Sequence, residues 1–172
     1  DIAIDEVLKT GKVAEAAICY TGDILDESRD KYSLKYYVDK AKELEKRGIH
    51  ILAIKDMSGL LKPYAAHKLV TALKNEIGVP IHMHTHDTTG NGVASMLMAA
   101  QAGADIVDAA VNSMSGLTSQ PAMSSIVEAV KNTPRDTGIP SEKLQLINDY
   151  WANVRPVYEA YESDLKSSAV EI

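Results

Sequence analysis

Short apolar runs alternate with amphipathic stretches along most of this chain. The runs are Val13–Tyr20, His50–Lys55, Pro80–His86 and Asp105–Asn112. They are rich in Ala, Ile and Val, and none shows the clean polar alternation of a half-exposed strand. The pattern therefore predicts parallel strands covered on both faces. Between them the apolar spacing becomes helical. Ser33 can cap a helix that carries Leu34, Tyr37, Val38, Ala41 and Leu44 on one face, with Gly48 as its stop. Pro63 opens the next helix, which carries Ala66, Leu69, Val70, Leu73 and Ile77 and ends at Gly78. A third runs from about Asn91 to Gln101. A fourth starts at Pro121, carries Ile126, Val127 and Val130, and stops before Pro134.

Each strand exit carries a Ser or Thr followed by Gly: Thr21-Gly22, Ser58-Gly59, Thr89-Gly90 and Ser115-Gly116. Turn chemistry alone can account for any one of them; their recurrence marks successive βα modules. Lys55-Asp56-Met57-Ser58-Gly59 aligns with His86-Asp87-Thr88-Thr89-Gly90, which makes Lys55 the positional equivalent of His86. Four βα units fit either a doubly wound sheet or part of a (β/α)8 TIM barrel. No Gly-x-Gly-x-x-Gly or Gly-Lys-Ser/Thr loop follows a strand, and polar ligand-type residues gather at strand ends, so the α/β class is read as the last four units of a barrel. About four strands are expected upstream. The barrel part is expected over residues 1–134. Residues 135–172 read as the start of a helical extension, with Leu144, Ile147, Trp151, Val154 and Tyr158 on a helix that Pro156 kinks.

Composition narrows the function classes. Among 172 residues, 45% are hydrophobic and 24% charged, as in ordinary globular proteins. A net charge of −6 and the lack of a basic run argue against a nucleic-acid partner. No apolar stretch is long enough to span a membrane. The start has no signal-like segment and no Met, and reads as the interior of a longer polypeptide. The single cysteine, Cys19, rules out an internal disulfide and is expected to be a small buried side chain.

The candidate chemistry lies in Ile81-His82-Met83-His84-Thr85-His86-Asp87. On a strand, His82, His84 and His86 share one face, and two imidazoles one strand-step apart can chelate a divalent metal. His84 and His86, nearer the strand exit, rank above His82. Lys55 ends an apolar strand; it either snorkels out at the rim or sits beside a cation as a neutral amine able to attack carbon dioxide. Asp56 and Asp87 are read as caps of the following turns rather than as supports of the ligands. His50 and His67 are read as non-catalytic.

Four motifs in register carry a resemblance. They are Ala16-Ala17-Ile18-Cys19-Tyr20-Thr21-Gly22-Asp23, Ile54-Lys55-Asp56-Met57-Ser58-Gly59-Leu60-Leu61-Lys62-Pro63, His82-Met83-His84-Thr85-His86-Asp87-Thr88-Thr89-Gly90-Asn91-Gly92 and Ser113-Met114-Ser115-Gly116-Leu117-Thr118-Ser119-Gln120-Pro121. From about Ala3 to Ser168 the chain resembles carboxyltransferase domains of the pyruvate carboxylase family. The resemblance implies a barrel with a helical funnel and a zinc or manganese ion held by His84, His86 and an N-carboxylated Lys55. It implies transfer of a carboxyl group from carboxybiotin to pyruvate, giving oxaloacetate. Biotin and ATP would be handled by other domains, and the biotin carrier domain of the parent chain would be a partner. The parent would be a homotetramer, cytoplasmic in bacteria or mitochondrial in eukaryotes. The family's metal-ligand aspartate, its pyruvate-binding arginine and glutamine and its funnel threonine have no counterpart here, so the segment alone is expected to be inactive and prone to self-association. The alternatives are an oxaloacetate decarboxylase or transcarboxylase, an aldol-type lyase on the same barrel, and a non-catalytic half-barrel module.

Overall fold

The computed structural model describes residues 2–170. Its frame is a parallel sheet of four strands in sequential order: β1 (Glu15–Cys19), β2 (Ile51–Asp56), β3 (Ile81–Thr85) and β4 (Ile106–Val107). The helices are α1 (Ile2–Lys9), α2 (Leu34–Lys46), α3 (Pro63–Glu76), α4 (Gly92–Ala102), α5 (Met123–Val130) and α6 (Ser141–Val154). A doubly wound sheet reverses direction at a switch point; this sheet never reverses, as in a barrel wall.

The helices form where their ends are chemically satisfied. The Ser33 hydroxyl accepts the Tyr36 backbone N–H at the start of α2. Pro63 occupies the first turn of α3, where its missing N–H costs nothing. Gly103 takes a left-handed conformation (φ +112°) at the end of α4. One face of α3 is wholly apolar: Leu69, Val70 and Leu73 are fully buried with Ala65 and Ala66. Each of the three larger side chains contributes roughly 1.5–3 kcal/mol through burial. They meet Leu52, Ile54, Ile81 and Met83, which point outward from the sheet, so the core lies between the strands and the helical layer.

The opposite face of the sheet is not covered as the apolar runs predict. In β1, Ala16 and Ile18 are buried, while Glu15, Ala17 and Cys19 are exposed. Cys19 is therefore not a buried thiol; it falls on the odd-numbered, inner face. Its neighbour Tyr20 faces the helices, stacks on Tyr37 with ring centroids 5.3 Å apart, and accepts the Ile24 N–H. Asp23 binds Lys62 and so ties the β1 exit to the entry of α3. Much of the Cys-Tyr-Thr-Gly-Asp motif is thus scaffolding.

Two stretches differ from the pattern. The fourth run forms a ladder only over Ile106–Val107, followed by an isolated Ala110–Ala122 bridge and a 3-10 turn at Asn112–Met114. The long C-terminal helix ends at Val154 and continues as a 3-10 segment, Arg155–Tyr161, because Pro156 cannot donate to an α-helical ladder. Asn148 accepts the Ser113 N–H on its side chain and the Ser113 hydroxyl on its carbonyl, Arg155 donates to the Ser113 carbonyl, and together they hold this element over the β4 exit.

Candidate metal centre at the strand exits

Strand register brings the predicted residues together. Lys55 pairs laterally with Cys19 on one side and with His84 on the other. All three point to the inner face. The motif alignment of Lys55 with His86 is offset by one strand-step from this spatial pairing, a stagger expected of tilted barrel strands. His86 follows on the same face, its ring centroid 5.2 Å from that of His84, with the planes at 74°.

Each of these two imidazoles is held through Nδ1. His86 Nδ1 lies 2.6 Å from the Thr118 carbonyl oxygen. A carbonyl only accepts, so Nδ1 carries a proton, and in the neutral ring Nε2 keeps its lone pair. His84 Nδ1 lies 2.7 Å from Asp108 Oδ2. Burial pushes the Asp108 carboxyl up, but hydrogen bonds from His84 and His82 more than offset this and hold it below the usual carboxylate range. Asp108 is then an acceptor, and His84 too has its proton on Nδ1. Both Nε2 atoms are left as metal donors.

His82 is occupied on both sides, with Nδ1 3.1 Å from Glu15 Oε2 and Nε2 2.8 Å from Asp108 Oδ1. Burial disfavours its charged form, but the hydrogen bonds to Asp108 and Glu15 prevail and raise its pKa above the ordinary histidine value. No ring nitrogen of His82 is free for a metal. Lys55 is exposed and makes no side-chain hydrogen bond or ion pair among the described residues.

Asp56 and Asp87 cap turns. Fully buried Asp56 accepts N–H bonds from Ser58 (3.3 Å), Leu60 (2.9 Å) and Leu61 (2.9 Å), and the Thr85 hydroxyl at 2.8 Å. Asp87 accepts the Gly92 N–H at 2.7 Å. His50 Nδ1 accepts the Ala14 N–H, a structural contact. Gly59 is required where it stands. Its φ is +70°, and a Cβ there would lie 2.8 Å from the His86 carbonyl oxygen.

Asp108 and Glu15 are the site residues that sequence reasoning missed. Asp108 lies in the fourth apolar run, at inward parity with Ile106, and its partners are 24 and 26 residues away. An acidic residue two places past an inward strand position was the available signal. No cluster of three or more His, Cys, Asp and Glu side chains among the described residues is arranged to hold a metal. The donor chemistry here is two imidazole Nε2 atoms beside a lysine, and this fits a divalent ion once the amine becomes an anionic oxygen donor.

Known proteins with this arrangement share one character. The HMGL-like family model matches residues 7–150. The chain is 55% identical over 171 residues to pyruvate carboxylase of Bacillus subtilis, covering 99% of this chain and 15% of that protein. It is 55% identical over 153 residues to the mitochondrial pyruvate carboxylase of Rattus norvegicus, covering 88% of this chain and 13% of that protein. The chain thus spans about one-seventh of the length of these relatives. The backbone superposes with a TM-score of 0.96 on the carboxyltransferase domain from Rhizobium etli pyruvate carboxylase with pyruvate, at 53% identity, covering 99% of this chain and 28% of that one. The complete multifunctional enzyme from the same organism matches with the same TM-score of 0.96 over 17% of its chain. With a four-strand barrel wall and a family match over most of its length, the chain belongs to the HMGL-like family.

Proposed function

We propose that this segment supplies part of the carboxyltransferase site of a biotin-dependent pyruvate carboxylase, moving a carboxyl group from carboxybiotin to pyruvate to give oxaloacetate. The observation that carries the metal part of this reading is the engagement of His84 and His86 through Nδ1, which leaves both Nε2 atoms without a protein partner on the strand that pairs with Lys55. The similarity to pyruvate carboxylases over nearly the whole chain supports the rest.

In this reading His84, His86 and Lys55 hold a zinc or manganese ion. The Lys55 ammonium first loses a proton; the resulting amine adds to carbon dioxide, forming an N–C bond as one C=O π bond opens onto oxygen, and a second proton leaves nitrogen, so a cationic group is exchanged for an anionic oxygen donor. When bound, the ion would supply Lewis-acid stabilisation of negative charge on the substrate oxygen. The Thr118 carbonyl keeps the His86 ring from rotating. Asp56 anchors the loop after Lys55 to Thr85, between the two histidines, and so keeps strands β2 and β3 in step at the site.

The partners in this reading are pyruvate, oxaloacetate and the biotin carrier domain of the parent chain, which is a homotetramer; ATP is used on another domain. Residues 1–134 belong to the barrel and 135–172 begin the helical extension; among its described residues only Leu144, in α6, is buried. The compartment is the cytoplasm for a bacterial parent and the mitochondrion for a eukaryotic one. No described helix is long and apolar enough to cross a membrane.

The test uses the full-length enzyme. His84→Ala and His86→Ala should abolish pyruvate carboxylation and bound metal while ATP-dependent biotin carboxylation persists. Full carboxyl transfer by either variant would refute the reading.

A further inference from the structure

We infer that Asp108 is a positioning residue for His84, itself held by His82 and Glu15 in a carboxylate–imidazole chain across the inner face of the sheet. The inference rests on the reading of His84 as a metal ligand.

The chain is continuous. Glu15 Oε2 meets His82 Nδ1 at 3.1 Å, His82 Nε2 meets Asp108 Oδ1 at 2.8 Å, and Asp108 Oδ2 meets His84 Nδ1 at 2.7 Å. Both Asp108 oxygens are engaged, by imidazoles two residues apart on one strand, and this fixes the plane of the carboxylate. The backbone sets its position as well: the Asp108 N–H donates to the Met83 carbonyl, between the two histidines, at 3.0 Å. Asp108 therefore cannot swing away from His84 without also giving up its bond to His82, and its backbone stays fixed to β3.

The two proposed ligands are consequently unlike. A carbonyl backs His86, whereas an anionic carboxylate backs His84. A carboxylate on Nδ1–H fixes the ring and increases the electron density available at Nε2, which strengthens the bond to a metal. The stability contribution of the same contact is small, because the Asp108 side chain is 37% exposed and its ion pairs are partly screened by water. Removing the carboxylate should weaken metal binding far more than folding.

The experiment titrates metal-free full-length enzyme with Zn2+ and with Mn2+ against a chromophoric chelator, and records the melting temperature of each metal-free variant. Asp108→Ala should bind roughly 10–100-fold more weakly than the natural sequence with an unchanged melting temperature. Asp108→Asn, which can still accept from His84 Nδ1 but lacks the charge, should fall between them. If the natural sequence binds metal, His84→Ala does not, and Asp108→Ala binds as tightly as the natural sequence, the positioning role is overturned while the metal site stands. If the natural sequence binds none, or His84→Ala binds equally well, both fall. Should Asp108→Ala melt much lower, Glu15→Gln decides. Weaker metal binding by that variant supports the chain, and unchanged binding overturns it.

Discussion

Replacing Asp56 with Ala tests how the lysine strand is kept in step with the histidine strand. The Asp56 side chain is fully buried and collects four hydrogen bonds, from the N–H groups of Ser58, Leu60 and Leu61 and from the Thr85 hydroxyl. Alanine leaves all four donors without this acceptor. Water can reach Ser58 and Leu60, which are partly exposed, but not the buried Leu61 N–H or Thr85. Thr85 also keeps a second acceptor in the His86 carbonyl, at 3.1 Å. Hydrogen bonds to a charged group contribute about 1.5–3 kcal/mol each, so a loss of roughly 3 kcal/mol follows from the two buried donors once the Thr85 fallback is discounted. That corresponds to about 100-fold easier local opening. Hydrogen exchange followed by mass spectrometry on a peptide covering residues 57–62 should show it, with a peptide from α5 unchanged. Asp56→Asn, which keeps one acceptor oxygen, should lie between the two. An Asp56→Ala protein whose 57–62 peptide exchanges at the natural rate would refute the reasoning.

Other substitutions probe the same frame. Gly92→Ala places a Cβ 2.6 Å from Pro121 Cγ and 2.7 Å from Asp87 Oδ1, and should cost about 1–3 kcal/mol, read as a lower melting temperature. Gly59→Ala adds left-handed strain of about 1–2 kcal/mol to a clash with the His86 carbonyl; it should lower both melting temperature and bound metal. Asp105 links the Ile81 N–H to Lys74, and these bonds outweigh burial to hold its pKa below the usual carboxylate value. Its stabilisation is therefore present above the unfolded-state pKa and disappears as pH falls through the lower folded-state value. The melting-temperature gap between the natural sequence and Asp105→Asn should be open at neutral pH and close below about pH 4; a gap independent of pH would contradict this.

Much of the framework was legible because local chemistry marks it. Ser33, Pro63 and Gly103 bound helices at the positions where they occur, and the period-two spacing of His82, His84 and His86 did put them on one face. Strand β3 lies within its apolar run, and β2 matches its run but reaches one residue past it, to Asp56. What escaped notice depends on register, which no single segment carries. Cys19 sits in an apolar run, yet inward parity leaves it exposed. Asp108 acquires its role only when β4 is laid beside β3. The helix at Ile2–Lys9 also escaped notice, although Ile4, Val7 and Leu8 stand at helical spacing; of these only Ile4 is buried. The fourth strand is shorter than its run because past Val107 the chain leaves β3, and Ala110 exchanges its backbone hydrogen bonds with Pro121 and Met123 instead.

Anomalous diffraction from crystals of the full-length enzyme, recorded at the zinc and manganese edges, tests the metal assignment most directly. One peak should lie about 2.0–2.2 Å from both His84 Nε2 and His86 Nε2, with an oxygen of modified Lys55 completing the near side. A peak elsewhere, or either imidazole meeting the ion through Nδ1, would contradict it.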